Sequence, residues 1–589
     1  MKNIFNDLKT YSKHFRKYFW RYLLLFIGLE LFNLIVIIPV FRALATVTLQ
    51  ASAVPFISYQ NILTIISTHS LVAIALIIEL LVLMLIIYVQ FSFLMIASSN
   101  ITEKFSSMLQ QTWGAIKRIR LGSLLILIAY FLLIIPFADL VFRTPLLAKI
   151  QIPEFILDYM MRKPAFLISL LIIYALIIIL GVRLLLTLPL MVFKKQSSWK
   201  AMKESWALTT KKQWWPLVSR LVIVSLISFL GLSIYDGILV LFQFIFDTIA
   251  KNLGHFFIQL NLLLVQIGSV IVLTWASVLS ILIILKPLSL QNKKKASVKT
   301  KCKFWLISAV VYVVAVGGAL LDNNFYLDQT KLNHPLVISH RGVSAKNGVQ
   351  NTIAALKKTS KLHPDYVEID VHETKDNKFV VMHDENLKQL AGINKRPKDL
   401  TLKQLNKIML KEDGHRARIA SLDSYLKVAN KLHQKLLIEI KTTPSDSKAM
   451  LQRFNHRYGQ LIINRHYQLQ SLDYSVIERL HRLNPRLFVL YIQPYNFTYP
   501  SNLAAGYSME YSTLNNDFIW QSHLQRKPVY AWTVNTSGAM KQMMFIGVDG
   551  IITDNVKLLQ QNIKSFKANN SPVNQLLNYI IVLPNPFSN

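Results

Sequence analysis

Two patterns of apolar residues divide this chain. Before residue 322 the apolar residues form long, nearly continuous runs, whereas after it they form short runs separated by polar segments. Runs of about 20 apolar residues match a helix that crosses a bilayer, and short runs between turn-forming residues are typical of strands. The pattern therefore predicts an all-α polytopic membrane domain over 1–321, followed by an α/β domain.

Seven long runs are candidate membrane spans. They lie near 20–40, 71–97, 124–142, 166–193, 217–246, 257–285 and 304–321. The run 217–246 is long and contains Arg220 and Asp236, so it could be one tilted helix, a broken helix, or a helix with an interfacial segment. We therefore expect about seven transmembrane helices, with six or eight as the alternatives.

Lysine and arginine are concentrated in every second loop of this domain. Basic clusters precede the first run and follow the second, fourth and sixth runs, and they include Lys9, Lys13, Lys17, Lys104, Lys117, Lys194, Lys200, Lys286 and Lys293. The loop with Arg143, Lys149 and Arg162 fits this alternation less well. Since cytoplasmic loops carry an excess of such residues, the amino terminus should be cytoplasmic and the domain after 322 should lie outside the cell. The first run is too long for a cleaved signal peptide and should remain as an anchor.

Composition supports a membrane protein and indicates which kind of partner its positive charge would bind. Hydrophobic residues make up 53% of the 589 residues, and the formal net charge is +34. Such a charge raises nucleic acid as a partner, but much of it lies in the cytoplasmic loops, where anionic lipid headgroups explain it better. We expect no nucleic-acid role. Cys302 is the only cysteine, so no intrachain disulfide forms, which suits a bacterial cell surface.

Short apolar runs after 335 predict the strands of a barrel. The runs 336–339, 366–371 and 379–382 read as parallel strands, and 436–440 as a fourth. Five later runs follow at 467–472, 487–492, 504–507, 529–534 and 550–553, which gives one candidate more than a TIM-type (β/α)8 barrel needs. We expect a barrel over 335–560 with one of the later runs outside it, a linker over 322–334 and a tail over 561–589.

Three further segments carry predictions. Asn351 and Thr352 should cap a helix that ends near 362. The segment 385–418 should contain a capped helix from about 399 to 410, and it either covers the barrel mouth and reads the alcohol part of a substrate or is a solvated surface insertion. The apolar tail segment 576–583 is too short to span, so it should pack on the barrel or touch the membrane surface.

Polar residues that suit phosphodiester chemistry follow the predicted strands. His340, Arg341, Glu368, Asp370 and His383 should converge, because loops at the carboxyl ends of barrel strands form one face. Glu368 and Asp370 are two apart on one strand and point to the same side, which makes a hard-oxygen site for a divalent cation. Each feature alone is common, since a single histidine at a strand end is more often structural than catalytic.

The order of these motifs resembles the glycerophosphodiester phosphodiesterase family. The motifs are HRG at 340–342, Asn-Thr at 351–352, EIDV at 368–371, VVMHD at 380–384, IEIK at 438–441, AWTVN at 531–535 and GVDGIITD at 547–554. The resemblance implies a TIM-type barrel that hydrolyses a glycerophosphodiester to glycerol phosphate and an alcohol. It implies a membrane-anchored member of the family, because a multi-span domain precedes the barrel.

The resemblance also implies roles for individual residues. His340 and His383 match the acid/base pair, Glu368, Asp370 and Glu439 match the metal carboxylates, Arg341 and Lys441 match the phosphate contacts, and Trp532 borders the glycerol pocket. Gln350 stands where the family usually has Glu, so a carboxylate near the phosphate is replaced by a neutral amide. All-oxygen ligands favour calcium or magnesium over zinc. The nucleophile is either water or the substrate's own glycerol hydroxyl.

Several functions fit this sequence. Placed outside the cell, the barrel would meet lipid-derived glycerophosphodiesters, polyglycerol-phosphate polymers of the envelope, and membrane lipids. One alternative is a phospholipase-like enzyme that cuts intact lipids. Another is a non-catalytic lipid-binding or polymer-binding regulatory protein that lost turnover through Gln350. A transporter with an accessory barrel is a third class.

Overall fold

The computed structural model describes residues 2–52, 54, 62–117, 128, 130, 146, 153–161, 164–210, 214–288, 302–332, 334–495, 502–568 and 571–582. Within these residues the chain is helical up to 332 and forms a β/α barrel from 336 onward. The expected division into a helical domain and an α/β domain is therefore confirmed.

Thirteen described helices make up the amino-terminal part. They are α1 (Lys2–Lys17), α2 (Phe19–Phe32), α3 (Ile38–Gln50), α4 (Ile62–Thr68), α5 (Ser70–Ser99), α6 (Phe105–Ile116), α7 (Glu154–Met161), α8 (Pro164–Leu184), α9 (Thr187–Phe193), α10 (Ser198–Leu208), α11 (Trp214–Ile249), α12 (Gly254–Leu285) and α13 (Cys302–Leu332). A π-helical turn, Asn33–Ile37, joins α2 to α3.

Six helical segments in the described residues are long and apolar enough to cross a membrane. They are Phe19–Gln50, Ser70–Ser99, Pro164–Phe193, Trp214–Ile249, Gly254–Leu288 and Phe304–Asp328. Six of the seven predicted runs are thus confirmed as helices, and the run 124–142 lies largely outside the described residues. The run around Arg220 and Asp236 is one continuous helix, α11.

Helices α11 and α12 form an antiparallel hairpin whose two ends make different contacts. At one end, Arg220 Nε near the start of α11 donates to Asp7 Oδ2 at 2.9 Å, and Lys286 Nζ after α12 lies 2.5 Å from the same oxygen. At the other end, the Asp247 carboxylate accepts from the Val573 backbone amide, which follows the barrel in sequence. The amino-terminal helix and the segment that follows the barrel therefore lie at opposite ends of this hairpin.

Twelve strands follow, and eight of them close a barrel. The strands are β1 (Leu336–Ser339), β2 (Tyr366–Glu373), β3 (Phe379–Val381), β4 (Met409–Glu412), β5 (His415–Arg418), β6 (Ala420–Ser421), β7 (Leu436–Ile440), β8 (Gln468–Ser471), β9 (Val489–Gln493), β10 (Gly506–Glu510), β11 (Val529–Trp532) and β12 (Gly550–Thr553). The barrel order is β1-β2-β7-β8-β9-β10-β11-β12, every pairing is parallel, and β12 returns to β1. The predicted TIM-type barrel is confirmed.

Ten helices accompany the strands. They are α14 (Ile353–Thr359), α15 (Lys388–Ala391), α16 (Leu402–Leu405), α17 (Leu422–Lys431), α18 (Met450–Asn464), α19 (Tyr474–Leu483), α20 (Asn516–Leu524), α21 (Ser537–Ile546), α22 (Val556–Ala568) and α23 (Pro572–Val582). Thr352 Oγ1 accepts from the Ala355 amide and so caps α14, which continues as a 3-10 turn to Leu362. The predicted end of this helix is confirmed.

The run 379–382 is not a parallel barrel strand, contrary to the prediction. Its strand β3 pairs antiparallel with β2 and with β6, whereas all five later runs contribute barrel strands. The expectation that one of the later runs lies outside the barrel was therefore wrong. The polar turn of 374–378 gives the reason, because a parallel connection needs roughly a dozen residues and a hairpin needs only a few.

The segment 385–418 differs from its prediction in one respect. A capping box of Thr401 and Gln404 starts α16, but the helix ends at Leu405 instead of near 410. Strands β4 and β5 follow as an antiparallel hairpin that turns at Asp413 and Gly414, and Gly414 has a φ of +78°. An Asp-Gly turn between residues that can pair favours a hairpin over a continued helix.

Alternation along the strands separates two apolar layers in the barrel. Side chains that point outward, such as Val367, Ile369 and Ile438, pack against the surrounding helices. Side chains that point inward form a plug in the lower barrel, consisting of Ile338, Tyr366, Leu437, Leu490, Tyr530 and Ile552. The next inward positions toward the carboxyl ends of β2 and β7 are acidic, so the plug forms the floor of a polar site.

The two halves of the chain are packed together. Helix α13 continues through 322–332, so most of the expected linker is helical, and α22 extends past the expected barrel end at 560 to Ala568. The tail helix α23 packs on α11, α12 and α13 of the membrane domain and reaches Phe545 of α21, with Gln266 Nε2 donating to Tyr579 Oη at 2.7 Å. Its apolar residues thus pack mainly on the membrane domain, where Leu576 and Tyr579 are fully buried.

Replacing Gly506 by alanine should destabilise the barrel. A Cβ at Gly506 would lie 2.6 Å from the Pro528 carbonyl oxygen and 2.7 Å from Leu490 Cδ2 inside the barrel. Such overpacking typically costs about 1–3 kcal/mol. We expect a lower midpoint in a urea titration of the detergent-solubilised chain, followed by near-ultraviolet circular dichroism.

Gly538 provides the control for this prediction. It lies exposed in α21 with no atom within 4 Å of a built Cβ, so alanine should leave the midpoint unchanged or raise it slightly. Equal midpoints for the two variants would contradict the predicted steric conflict at Gly506.

Candidate active site

Three carboxylates lie together inside the mouth of the barrel. Glu368 and Asp370 come from β2 and Glu439 from the adjacent β7, where Asp370 and Glu439 are register partners. All three residues are buried, with exposures of 2%, 1% and 7%, and one oxygen of each lies within 4.8 Å of the others. The structure therefore brings together the three residues that the sequence predicted as metal ligands.

Charge in this cluster is only partly balanced by the protein. Lys441 Nζ lies 3.1 Å from Asp370 Oδ1 and 2.6 Å from Glu439 Oε1. Burial and the two neighbouring acids raise the pKa of Glu368 well above its usual value. Burial disfavours the charged form of Asp370 as well, but Lys441, His383 and Arg341 outweigh it and lower the pKa of that carboxyl. A compact set of carboxylate oxygens with excess negative charge fits a divalent cation of the calcium or magnesium type.

Asn351 holds Asp370 in place. Its Nδ2 donates to Asp370 Oδ2 at 2.8 Å, and its Oδ1 accepts from the Asp370 backbone amide at 3.0 Å. Asn351 was expected to help cap α14, but its left-handed backbone, with a φ of +59°, accompanies these bonds to β2. Thr352 alone caps the helix, and Asn351 instead fixes the direction of a candidate metal ligand.

Arg341, Gln350 and Glu412 form a chain of hydrogen bonds over the acids. Arg341 donates its backbone amide to Glu368 Oε2 at 2.7 Å and its Nη1 to Gln350 Oε1 at 2.7 Å. Gln350 in turn donates its backbone amide and its Nε2 to the Glu412 carboxylate, at 2.8 and 2.7 Å. The β4–β5 hairpin therefore places a carboxylate beside Gln350 at the barrel mouth, whereas a role of 385–418 in reading the alcohol stays a prediction.

Each of the two candidate catalytic histidines has a carboxylate partner. His340 Nδ1 lies 2.8 Å from Asp554 Oδ1, and His383 Nδ1 lies 2.8 Å from Asp384 Oδ1. This pairing favours a proton on Nδ1 and leaves each Nε2 for exchange with a substrate. Burial lowers the pKa of His383 to about 4. Burial acts to raise the pKa of Asp554. The neighbouring His340 outweighs burial and lowers this pKa to about 2.

A cleft of about 570 Å³ opens beside the acids. Its walls include His383, Asp384, Glu439 and Lys441 on one side and Ser471 and Asp473 at the end of β8 on the other. Lys388 of the segment 385–418 also lines it. Most residues that line the cleft have polar side chains, and the cleft is large enough for an alcohol that leaves the phosphorus.

On the other side of the mouth, β10 and β11 end in Glu510 and Trp532, which are register partners. Burial raises the pKa of Glu510 to about 7. Trp532 packs over the plug, and its Nε1 has no hydrogen-bond partner among the described residues. Buried donors without partners suit the hydroxyl groups of a polyol such as glycerol.

Five residues of the site were missed by the sequence interpretation. They are Asn351 as a support for Asp370, Asp384 and Asp554 as partners of the histidines, Glu412, and Glu510. Asp384 and Asp554 had a signal in the sequence, because each is the last residue of a motif that carried the resemblance to the family. Glu412 and Glu510 had none, since their roles depend on where a hairpin and a barrel strand end in space.

Comparisons with known proteins follow the same division of the chain. A family model described as the membrane domain of glycerophosphoryl diester phosphodiesterase matches residues 8–320, and a second, described as the glycerophosphoryl diester phosphodiesterase family, matches residues 340–558. A Bacillus subtilis protein, provisionally named as a glycerophosphodiester phosphodiesterase, is 30% identical over 37% of this chain and 93% of its own length.

Two further relatives align with the barrel. A glycerophosphodiester phosphodiesterase of Caldanaerobacter subterraneus is 28% identical over 38% of this chain and 96% of its own length. A crystal structure of a glycerophosphodiester phosphodiesterase from Parabacteroides distasonis covers 40% of this chain and 98% of its own, with 25% identity and a TM-score of 0.35.

Replacing Glu412 by alanine should impair the site without unfolding the barrel. The substitution leaves the Gln350 amide groups without their acceptor and frees Gln350 to release Arg341. Hydrogen bonds to a charged group contribute about 1.5–3 kcal/mol, so we expect kcat/KM for a phosphodiester to fall by at least about tenfold. Glu412→Gln, which keeps an acceptor oxygen, should lose less.

The neighbouring Asp413→Asn serves as the control, because asparagine removes the charge and tolerates the left-handed backbone of this turn residue, which has a φ of +45°. Asp413 lies in the same turn and pairs only loosely with Lys346, at 3.5 Å on the surface. A similar loss of turnover in the Asp413 and Glu412 variants would contradict this prediction. It would show that turnover depends on the intact hairpin and not on the hydrogen bond between Glu412 and Gln350.

Proposed function

This chain belongs to the glycerophosphoryl diester phosphodiesterase family and carries its membrane domain, and we propose that it is a metal-dependent enzyme that hydrolyses glycerophosphodiesters to glycerol phosphate and an alcohol on the outer face of the membrane. One observation carries the proposal. Three buried carboxylates and two carboxylate-paired histidines share one barrel mouth.

Hydrolysis requires that the nucleophile lose a proton and that the departing alcohol oxygen gain one. A nucleophilic hydroxyl, of water or of the substrate's glycerol, loses its proton to one histidine and forms a new P–O bond. The bond from phosphorus to the alcohol breaks, and the other histidine protonates the departing oxygen. His340 and His383 lie on different loops with their Nδ1 atoms held by Asp554 and Asp384, so both are oriented for this exchange.

The chain's cations hold the phosphate. Arg341 has its Nη1 on Gln350 and its Nε 3.9 Å from Asp370, which keeps the guanidinium over the acids. Its Nε has no hydrogen-bond partner among the described residues and can donate to a phosphate oxygen. Lys441 is held between Asp370 and Glu439, where its charge offsets that developing on the same phosphate.

Glu368, Asp370 and Glu439 are the residues that would hold a divalent cation. The positive charges near these three acids are fewer than the negative charges that the acids can carry, which supports a bound cation. When bound, a calcium or magnesium ion supplies Lewis-acid polarisation of the phosphate. Asn351 and the Arg341 amide orient two of these ligands whether or not a cation is present.

The substitution at Gln350 does not favour a non-catalytic protein. Gln350 keeps its contact with Arg341, and Glu412 supplies a carboxylate next to it. The loss of the acid usually found at position 350 is therefore offset locally, and both histidines with their acidic partners are retained. We accordingly favour turnover over a purely binding role.

Two observations support an outer location for the barrel. Helix α1 and the tail helix α23, which directly follows the barrel, contact opposite ends of the α11–α12 hairpin, and this supports opposite sides of the membrane for α1 and the barrel. The basic residues Lys9, Lys13 and Lys17 lie in or at the end of α1, and such residues favour the cytoplasmic side. Together these observations support our proposal that the barrel lies outside the cell.

Removal of the metal or of either histidine should abolish turnover. We expect the full chain in detergent to release choline from glycerophosphocholine with calcium or magnesium, and EDTA to stop the reaction reversibly. His340→Ala, His383→Ala and Glu439→Gln should each lower kcat by about a hundredfold or more, as expected for lost proton transfer or a lost metal ligand.

The exposed His456 on α18 is the matched control. His456→Ala should retain full activity because it is remote from the barrel mouth. Turnover that persists in EDTA, or in both histidine variants, would contradict the proposed mechanism. If the unmodified chain hydrolysed no diester with any metal, the binding-protein alternative would be favoured.

Cysteine labelling tests the orientation. Three described spans separate Lys200 from the barrel, so the two should lie on opposite sides. In a Cys302→Ser background, an impermeant maleimide should label Lys431→Cys on the barrel in intact cells and should not label Lys200→Cys until the cells are lysed. The reverse pattern would place the barrel in the cytoplasm.

A further inference from the structure

A helix of the membrane domain touches the rim of the active site. The ring of Phe155, in α7, lies 5.6 Å from the ring of Trp532 at the carboxyl end of β11, with an interplanar angle of 54°. This is a typical aromatic contact. It is made between the two domains, at a residue that already borders the mouth.

Polar contacts hold α7 in this position. The Glu154 backbone amide donates to Ser512 Oγ at 3.0 Å, and Ser512 Oγ donates to Glu510 Oε2 at 2.6 Å. The hydroxyl of Tyr511 also donates to the Glu154 carboxylate. Helix α7 is thus bonded to the loop that follows β10 and, through Ser512, to the buried carboxyl at the end of that strand.

The position of α7 relative to the acids follows from the barrel order. In the ring of eight strands, β10 lies four strands from β2 and β11 lies four strands from β7 in either direction. Glu510 and Trp532 therefore face Asp370 and Glu439 across the mouth. A phosphodiester centred on the acids has two arms, and one arm must run toward α7.

The two sides of the mouth differ in chemistry. The cleft on the side of β7 and β8 is lined by charged and hydroxyl side chains such as Lys388 and Asp473. The side of β11 offers Trp532 and then Phe155, and the apolar residues of α7 are largely exposed, at 40% for Phe155, 37% for Ile156 and 49% for Met161. A path of apolar surface thus leads from the mouth to a helix that lies between two membrane spans.

We propose that α7 is part of the substrate-binding site, and that Phe155 and Trp532 hold the acyl chain of a bilayer-resident glycerophosphodiester. This inference rests on the proposed phosphodiesterase activity and names its substrate class. The glycerol lies between the acids and Trp532, its acyl chain continues past Phe155 toward the bilayer, and the headgroup alcohol occupies the polar cleft.

The reaction on such a substrate balances with water alone. Water adds its oxygen to phosphorus, the bond from phosphorus to the headgroup oxygen breaks, and the alcohol leaves with a proton. The phosphate remains on the acylated glycerol as a monoester, and no bond in the acyl ester changes. The product therefore stays in the membrane while the alcohol leaves through the cleft.

The test compares two substrates that differ only in the acyl chain. Full-length enzyme is reconstituted in phosphatidylglycerol vesicles, and choline release is measured from glycerophosphocholine in solution and from oleoyl-lysophosphatidylcholine in the vesicles. Truncation of Phe155 removes the apolar ring surface that the acyl chain would cover. Phe155→Ala should therefore lower kcat/KM for the lysolipid by at least about tenfold and leave that for glycerophosphocholine within about twofold.

Two further variants complete the experiment. Phe155→Leu keeps an apolar side chain and should restore most of the lysolipid activity. Phe229→Ala removes an even more exposed ring from α11 and should change neither rate. Unchanged hydrolysis of glycerophosphocholine reports that each variant is folded.

Failure of this inference is distinguishable from failure of the proposed function. Hydrolysis of glycerophosphocholine without lysolipid hydrolysis, or an equal loss on both substrates in Phe155→Ala, would overturn the role of α7 and leave the phosphodiesterase intact. An absence of choline release from both substrates by the wild-type enzyme would overturn both.

Discussion

The structure depends on keeping three carboxylates inside a barrel without unfolding it. An isolated ionised carboxylate is costly to bury, and Glu368, Asp370 and Glu439 repel one another as well. Two kinds of contact offset this cost. Lys441 lies between Asp370 and Glu439, and amide groups of Arg341 and Asn351 donate hydrogen bonds to Glu368 and Asp370. The negative charge that remains favours binding of a cation. The buried carboxylates that destabilise the barrel are thus the same residues that would hold a metal ion.

The supports of this cluster come from distant parts of the barrel domain. Asn351 and Arg341 belong to the loop after β1, Glu412 to the β4–β5 hairpin, and Asp554 to the end of β12. Each reaches the mouth because parallel strands present their carboxyl ends on one face. The loop 385–418 is therefore a structural part of the site, since it ties Gln350 to the rest of the rim.

Sequence alone predicted the barrel, and the nine residues that it proposed for the site lie at one mouth in the structure, together with five others that it missed. The alternation that put Glu368 and Asp370 on one side is a local property of a strand and was visible in the chain. The error at β3 arose because three apolar residues read alike in parallel and antiparallel pairing. Glu412, Glu510 and Phe155 were invisible for a different reason. Their importance lies in contacts between segments that are far apart in sequence, and Phe155 even belongs to the other domain.

Helix α23 follows the barrel in sequence, yet it fills a gap among α11, α12 and α13 in the membrane domain. Gln266 of α12 bonds both Asn323 of α13 and Tyr579 of α23, so a polar network within the bundle is completed only by this late helix. During synthesis, the bundle therefore remains incomplete until the whole barrel has been translated. A chain that ended within the barrel would leave the buried Gln266 amide without the hydroxyl of Tyr579, so the membrane domain reaches its final packing only after the last helix of the chain is made.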